Sequence, residues 1–230
     1  MQKQSLPGLT GNQLKMIALI AMTADHVGKQ LFPRLVFLQI IGRLAFPIYA
    51  YLIAEGCHFT RDRKGYLGRM AALAAVCQAV YFLAEGSLYM SVLVTFSISI
   101  GLIYLLDAAQ NAPSPVRLIA AGAGLLTALY LCAFLRIPGS DYAIDYGFVG
   151  VMLPVMVYLG KDTKQKLLLT ALCLVLLARS FGGIQWYCLL SLPLLALYNG
   201  QRGKPGIKNF FYIYYPAHLL FFGLMRLVLL

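Results

Sequence analysis

The chain has 230 residues, of which 60% are hydrophobic and only 12% charged, whereas a soluble domain averages about 45–50% apolar and about 25% charged. No soluble core absorbs that excess; lipid does, at roughly 20 residues per helical span. The net charge of +11 lies in short basic turns between apolar runs, not on one solvent-facing surface, which argues against a nucleic-acid partner.

In chain order, apolar runs fall near 14-32, 36-57, 69-84, 90-106, 116-136, 143-159, 165-181, 184-198 and 210-229. They predict an all-α integral membrane protein, a polytopic helix bundle of about nine transmembrane helices, filling residues 1-230 as one domain. The first run follows a polar stretch and carries Asp25 and His26, so it reads as a retained span and not as a removable signal peptide. Phe181-Gly182-Gly183 leaves 165-198 open to division into two spans or to one long kinked helix.

Short basic loops resist translocation, which makes their distribution a test of orientation. With the N-terminus in the cytoplasm, thirteen of the nineteen Lys and Arg residues fall at or near the inner side. Cys57, Cys77, Cys132, Cys173 and Cys188 form no CxxC pair and lie mostly in apolar runs, so small buried side chains are expected in place of disulfides or thiolate metal ligands.

A charge in the hydrocarbon layer costs about 2.5–3.5 kcal/mol on insertion scales, which marks each deep ionisable residue as a candidate site. Asp25 and His26 in the first run, Arg43 in the second and His218 in the last are such residues, and Asp145 stands at the outer end of the sixth. Asp25 has Lys29 at i+4, so an ion pair between them competes with a catalytic role. Arg43 is either the salt-bridge partner of Asp25 or an anion holder, and Pro47 frees the Arg43 carbonyl, predicting a kink there. Pro216 does the same for Tyr212 near His218. Glu55 and His58, at i and i+3, make half of a di-iron motif only, so no metal is expected; they line a cytoplasmic mouth or pair with Arg61 and Arg63.

The elements Asp25-His26, Gly42-Arg43-Leu44-Ala45-Phe46-Pro47, Glu55-Gly56-Cys57-His58, Asp145-Tyr146-Gly147, Tyr198-Asn199-Gly200 with Arg202-Gly203, and Tyr215-Pro216-Ala217-His218, in this order, resemble the TraX family over nearly the whole chain. The family's named member is associated with acetylation of the pilin N-terminus in conjugative plasmids. The resemblance implies an acyl-CoA-dependent acetyltransferase of the bacterial inner membrane, with acetyl-CoA as donor and a pilin N-terminus, sugar or small amine as acceptor. It implies His26 as general base, Arg43 as oxyanion or donor contact, and Asp25 or Asp145 as the group orienting the histidine. His218, Glu55 and His58 would be polar walls, and Arg61, Arg63, Lys64, Arg202 and Lys204 would meet the donor's phosphates. A proton-coupled transporter using the same Asp, His and Arg residues is the alternative, and a non-catalytic assembly protein is the third class.

Overall fold

A computed structural model describes residues 7–203, 214–218, 220–221 and 225, with the side chains of 84 and 85 outside the description. The described residues are helical, with two isolated bridges between loops. Helices α1 (Gly11–Gln30), α2 (Val36–Gly42), α3 (Ala45–Phe59), α4 (Arg63–Glu85), α5 (Val92–Asn111), α6 (Pro115–Leu129), α7 (Gly147–Leu159), α8 (Thr163–Phe181) and α9 (Ser191–Ala196) follow in order. A π-helical turn, Tyr130–Phe134, extends α6, and a 3-10 segment, Gly183–Leu190, leads into α9.

The helix ends are set by local chemistry. Thr10 and Gln13 form a capping box on α1, and Asp62, Ser114 and Asp162 each accept a backbone N–H at the start of α4, α6 and α8. Pro115 opens α6 where its missing N–H costs nothing. Gly182 and Gly183, both at positive φ, turn the chain sharply after α8, and the 3-10 segment folds back so that the Cys188 thiol meets the Leu174 carbonyl at 3.8 Å. The 165-198 region is therefore two helical segments and not one kinked helix.

Among the described residues four segments are long and apolar enough to cross a membrane: Val36–Phe59, Arg63–Leu83, Val92–Asn111 and Pro115–Phe134. That is fewer than the nine runs expected. Helix α1 carries Lys15, Asp25 and Lys29 along its length, and Gly147–Leu159 and Gly183–Ala196 are short apolar helices. The last run, 210-229, lies almost wholly outside the described residues.

The core centres on α3, which buries Phe46, Ile48, Tyr51 and Ile53 against Val151 and Val155 of α7 and Ile100 and Ile103 of α5. By contrast α4 and α6 turn large apolar side chains outward: Leu83 is 83% exposed, Val116 75% and Ile119 70%. In water such faces would aggregate; in lipid they are solvated, and this integral membrane protein is held together instead by packing and by interhelical polar contacts. Ser99 of α5 donates to the Val151 carbonyl of α7 at 2.8 Å, for example.

Two loop pairings frame the bundle's ends. At one end, backbone bonds from Leu9, Gly11 and Asn12 reach Leu197, Gln201 and Arg202. At the other, Met90 donates to Ala143 and Asp145 to Met90, while Asp141 accepts from the Ser87 hydroxyl at 2.5 Å and the Leu88 N–H at 2.8 Å. The Ser87 and Leu88 donors hold the Asp141 carboxyl below the usual carboxylate range. A depressed folded-state value contributes stability that is present above the ordinary carboxylate pKa and lost as pH falls through the lowered one. Acidification below about pH 4 is thus expected to release the 87–91 loop in wild type, read as faster amide exchange there, and Asp141→Asn is expected to show that fast exchange already at neutral pH.

Candidate functional site

The break expected at Pro47 is present. Helix α2 ends at Gly42, Arg43 and Leu44 form a tight turn with N–H bonds to Ile40 and Ile41, and α3 begins at Ala45. The turn aims the Arg43 guanidinium back at α1. Arg43 Nη2 meets Asp25 Oδ1 at 2.5 Å, and Lys29 Nζ meets Asp25 Oδ2 at 2.6 Å. Both readings of Asp25 hold together: it pairs with its own-helix lysine and with the arginine of the next element.

Arg43 is tied further by Nε to the Gln39 carbonyl and by Nη1 to Gln185 Oε1, each at 3.2 Å. Three of its five N–H donors are thus used, and the triad with Asp25 and Lys29 carries one net positive charge. Gln185, 4% exposed and 142 residues distant in sequence, gave no signal in the sequence.

Gly42 makes this approach possible. A Cβ there would run into the Asp25 side chain. Gly42→Ala is expected to push α2 off α1 and lower stability by about 1–3 kcal/mol, the usual cost of overpacking, read as earlier thermal unfolding in detergent; an unshifted transition would disprove the tight α1–α2 contact.

His26 donates from Nδ1 to the Met22 carbonyl at 2.8 Å. A carbonyl only accepts, so a neutral ring with this bond keeps its lone pair on Nε2. The orienting contact is thus a backbone carbonyl of its own helix, and the Asp25 carboxylate is engaged by Arg43 and Lys29 instead. His218 lies edge-on to His26, with ring centroids 4.9 Å apart, and is buried at 6% exposure. Tyr214 fastens this segment to α1 through Thr23 at 2.7 Å.

Asp145, just before α7, accepts from the Tyr89 hydroxyl at 2.7 Å. Its neighbour Tyr146 has φ of 60°, a conformation that costs a side-chain-bearing residue about 1–3 kcal/mol. Its ring stacks on Phe46 with centroids 3.8 Å apart. Neither aromatic was singled out from sequence.

These groups, apart from His218 and Thr23, line one cavity of about 1210 Å³. Asp25, His26, Arg43, Asp145 and Tyr146 stand toward one end, and Lys15, Arg61, Arg69 and Arg202 toward the other, with Glu55 also in the wall. Of the remaining expected site residues that the structure describes, Glu55 alone lines this cavity. Glu55 pairs with Lys166 at 2.5 Å, not with Arg61 or Arg63, and it separates the large cavity from a second one of about 380 Å³. His58 stacks on Tyr158 with centroids 4.1 Å apart and contacts its carbonyl, away from the cavity wall. Arg63 pairs with Asp107 at 2.5 Å and lies over the Tyr104 ring. Lys64 is exposed and not among the cavity residues, and Lys204 lies outside the described residues. Among the described residues no group of three His, Cys, Asp or Glu side chains is arranged to hold a metal.

An α-helical membrane protein with a charged cavity between its first and third helices is the class these features define. The family model described as TraX protein matches residues 10–226, and the chain belongs to that family. A probable fimbrial assembly protein FimC, serogroup H1, of Dichelobacter nodosus is 26% identical over 242 residues, covering 90% of this chain and 91% of that one. An uncharacterised protein of Rickettsia prowazekii (strain Madrid E) is 50% identical over 38 residues, 16% of this chain and 15% of its own length. No solved structure matches.

Proposed function

We propose that this chain is an acyl-CoA-dependent acetyltransferase of the bacterial inner membrane, crossing it about nine times with a cytoplasmic N-terminus, and that its acceptor is an amine or hydroxyl of a pilin-like peptide, a sugar or a small amine. The observation that carries this reading is the single cavity joining Arg61 and Arg202 to Asp25, His26 and Arg43. At about 1210 Å³ it exceeds the roughly 300–1,000 Å³ of ordinary small-molecule sites, as a long phosphorylated thioester requires. Membership of the TraX family and likeness to a probable fimbrial assembly protein agree with an acceptor in the pilus system.

In this reading the donor's phosphates meet Arg61 and Arg202, neither of which has a carboxylate within ion-pair distance among the described residues. His26 Nε2 takes the acceptor's proton. The unused N–H donors of Arg43 meet the oxyanion of the tetrahedral intermediate, in a low-dielectric site where they act strongly.

The test is transfer of label from acetyl-CoA by the purified protein in detergent, with His26→Ala beside wild type. Replacing Arg61 and Arg202 together by alanine is expected to raise KM for acetyl-CoA by about tenfold or more while kcat stays within a factor of a few, because a donor contact far from the thioester is shared by ground and transition states. An unchanged KM would remove these arginines from the donor site. A transporter draws on the same cavity, and solute flux across sealed liposomes with no acyl-CoA present would favour it.

A further inference from the structure

The cavity follows one whole face of α1. Asn12, Lys15, Leu19, Met22, His26 and Gln30 all line it, at the three- and four-residue steps of a single helical stripe. From Gly11 to Gln30 that stripe is about 28 Å long at about 1.5 Å per residue, close to the roughly 30 Å of a bilayer's hydrocarbon. Helix α4 runs the same way along this space, with Arg69 at the basic mouth and Tyr81 further in. Lining residues are exposed at both extremes: Arg61 and Arg202 at the mouth, Lys29 and Gln30 at the far end.

The two ends differ in charge. At the mouth four cations, Lys15, Arg61, Arg69 and Arg202, stand against the carboxylates Glu55 and Asp62. At the far end Lys29 and Arg43 are matched by Asp25 and Asp145. A polyanionic thioester is therefore retained at the mouth and meets less net positive charge beyond it. His26 stands about 22 Å from Gly11 but only about 6 Å from Gln30. A donor whose acyl carbon reaches His26 fills the passage on the mouth side, and the way left to the same carbon is from Lys29 and Gln30.

We infer that donor and acceptor enter from opposite membrane faces, so that the acetyl group crosses the membrane barrier while the CoA carrier does not. This rests on the acetyltransferase reading and adds its sidedness. The thioester C–S bond breaks and a C–N or C–O bond forms; the acceptor's proton passes to His26 and from there to the departing thiolate. Free CoA thiol leaves by the mouth, and the acetylated amine or hydroxyl leaves by the far end.

The experiment places a single cysteine at each end, Thr60→Cys at the mouth and Gln30→Cys at the far end, in full-length protein reconstituted in sealed vesicles of one orientation. Each is labelled with a membrane-impermeant sulfonated thiol reagent added inside or outside, and unsubstituted protein gives the background from its native cysteines. The two cysteines are expected to label from opposite sides, and CoA on the Thr60 side is expected to slow labelling of Thr60→Cys at least threefold without slowing Gln30→Cys from its own side. Labelling of both from one side, or CoA protection of Gln30→Cys from its own side, overturns the inference. Acetyl transfer by wild type in detergent, where sides do not exist, tests the underlying reading separately: transfer there combined with one-sided labelling defeats the sidedness alone.

Discussion

His26→Ala is expected to lower acetyl transfer by about 10²- to 10⁴-fold, the usual contribution of a positioned general base. The loss should appear in kcat, with KM for acetyl-CoA little changed, because the proposed contacts to the donor's phosphates are at the far-off arginines. Its interpretation is helped by the ring's tether: Nδ1 bonds to the Met22 carbonyl of the same helix, and alanine in its place keeps α1 helical. The variant should therefore purify with wild-type yield and nearly wild-type thermal stability. Full turnover in a stable His26→Ala protein would end the general-base assignment. His218, edge-on to His26, offers an internal comparison: its Nδ1 is held in the same way, by the Tyr214 carbonyl at 3.2 Å, but it does not line the cavity, so His218→Ala is expected to slow transfer less.

Asp25→Ala is expected to have the largest effect on the fold. Asp25 and Arg43 side chains are 11% and 13% exposed, and removing one member of a buried pair leaves the other charge without compensation, at about 3–5 kcal/mol. The Lys29 arm contributes less, because that side chain is 50% exposed and an exposed pair is worth about 0–1 kcal/mol. Combining Asp25→Asn with Arg43→Gln removes both charges and should recover part of the loss, so that the double variant unfolds later than Asp25→Ala alone, in a double-mutant cycle read by thermal unfolding in detergent. Equal stability of wild type and Asp25→Ala would show that the pair does not join α1 to the α2–α3 turn.

Much of this was legible in the chain itself. The apolar runs located most of the helices, and the break at Arg43 follows from Pro47, because hydropathy and proline geometry act within short segments. Asp25, His26 and Arg43 stood out because ionisable groups in apolar runs carry a cost that needs a reason. What escaped were partners chosen at long range: Gln185 for Arg43, Lys166 for Glu55, Asp107 for Arg63, and the Tyr146 ring on Phe46. Glu55 looked like a partner for nearby Arg61 or Arg63, yet α8 brings Lys166 closer, and no local pattern encodes which of several cations the fold delivers.

By itself, then, the sequence determined that this protein is a helical membrane protein, that its second apolar run breaks beside Pro47, and which charges fall within apolar runs, since hydropathy and proline geometry are properties of short segments. Only the tertiary structure decided that Asp25 is shared by Arg43 and Lys29, that His26 is held by Met22, and that these groups lie on one cavity with Arg61 and Arg202. Those outcomes depend on which faces of α1, α3 and α4 confront one another. Helix packing settles that through close contacts such as Gly42 on Asp25, between residues seventeen positions apart, beyond the reach of helical periodicity.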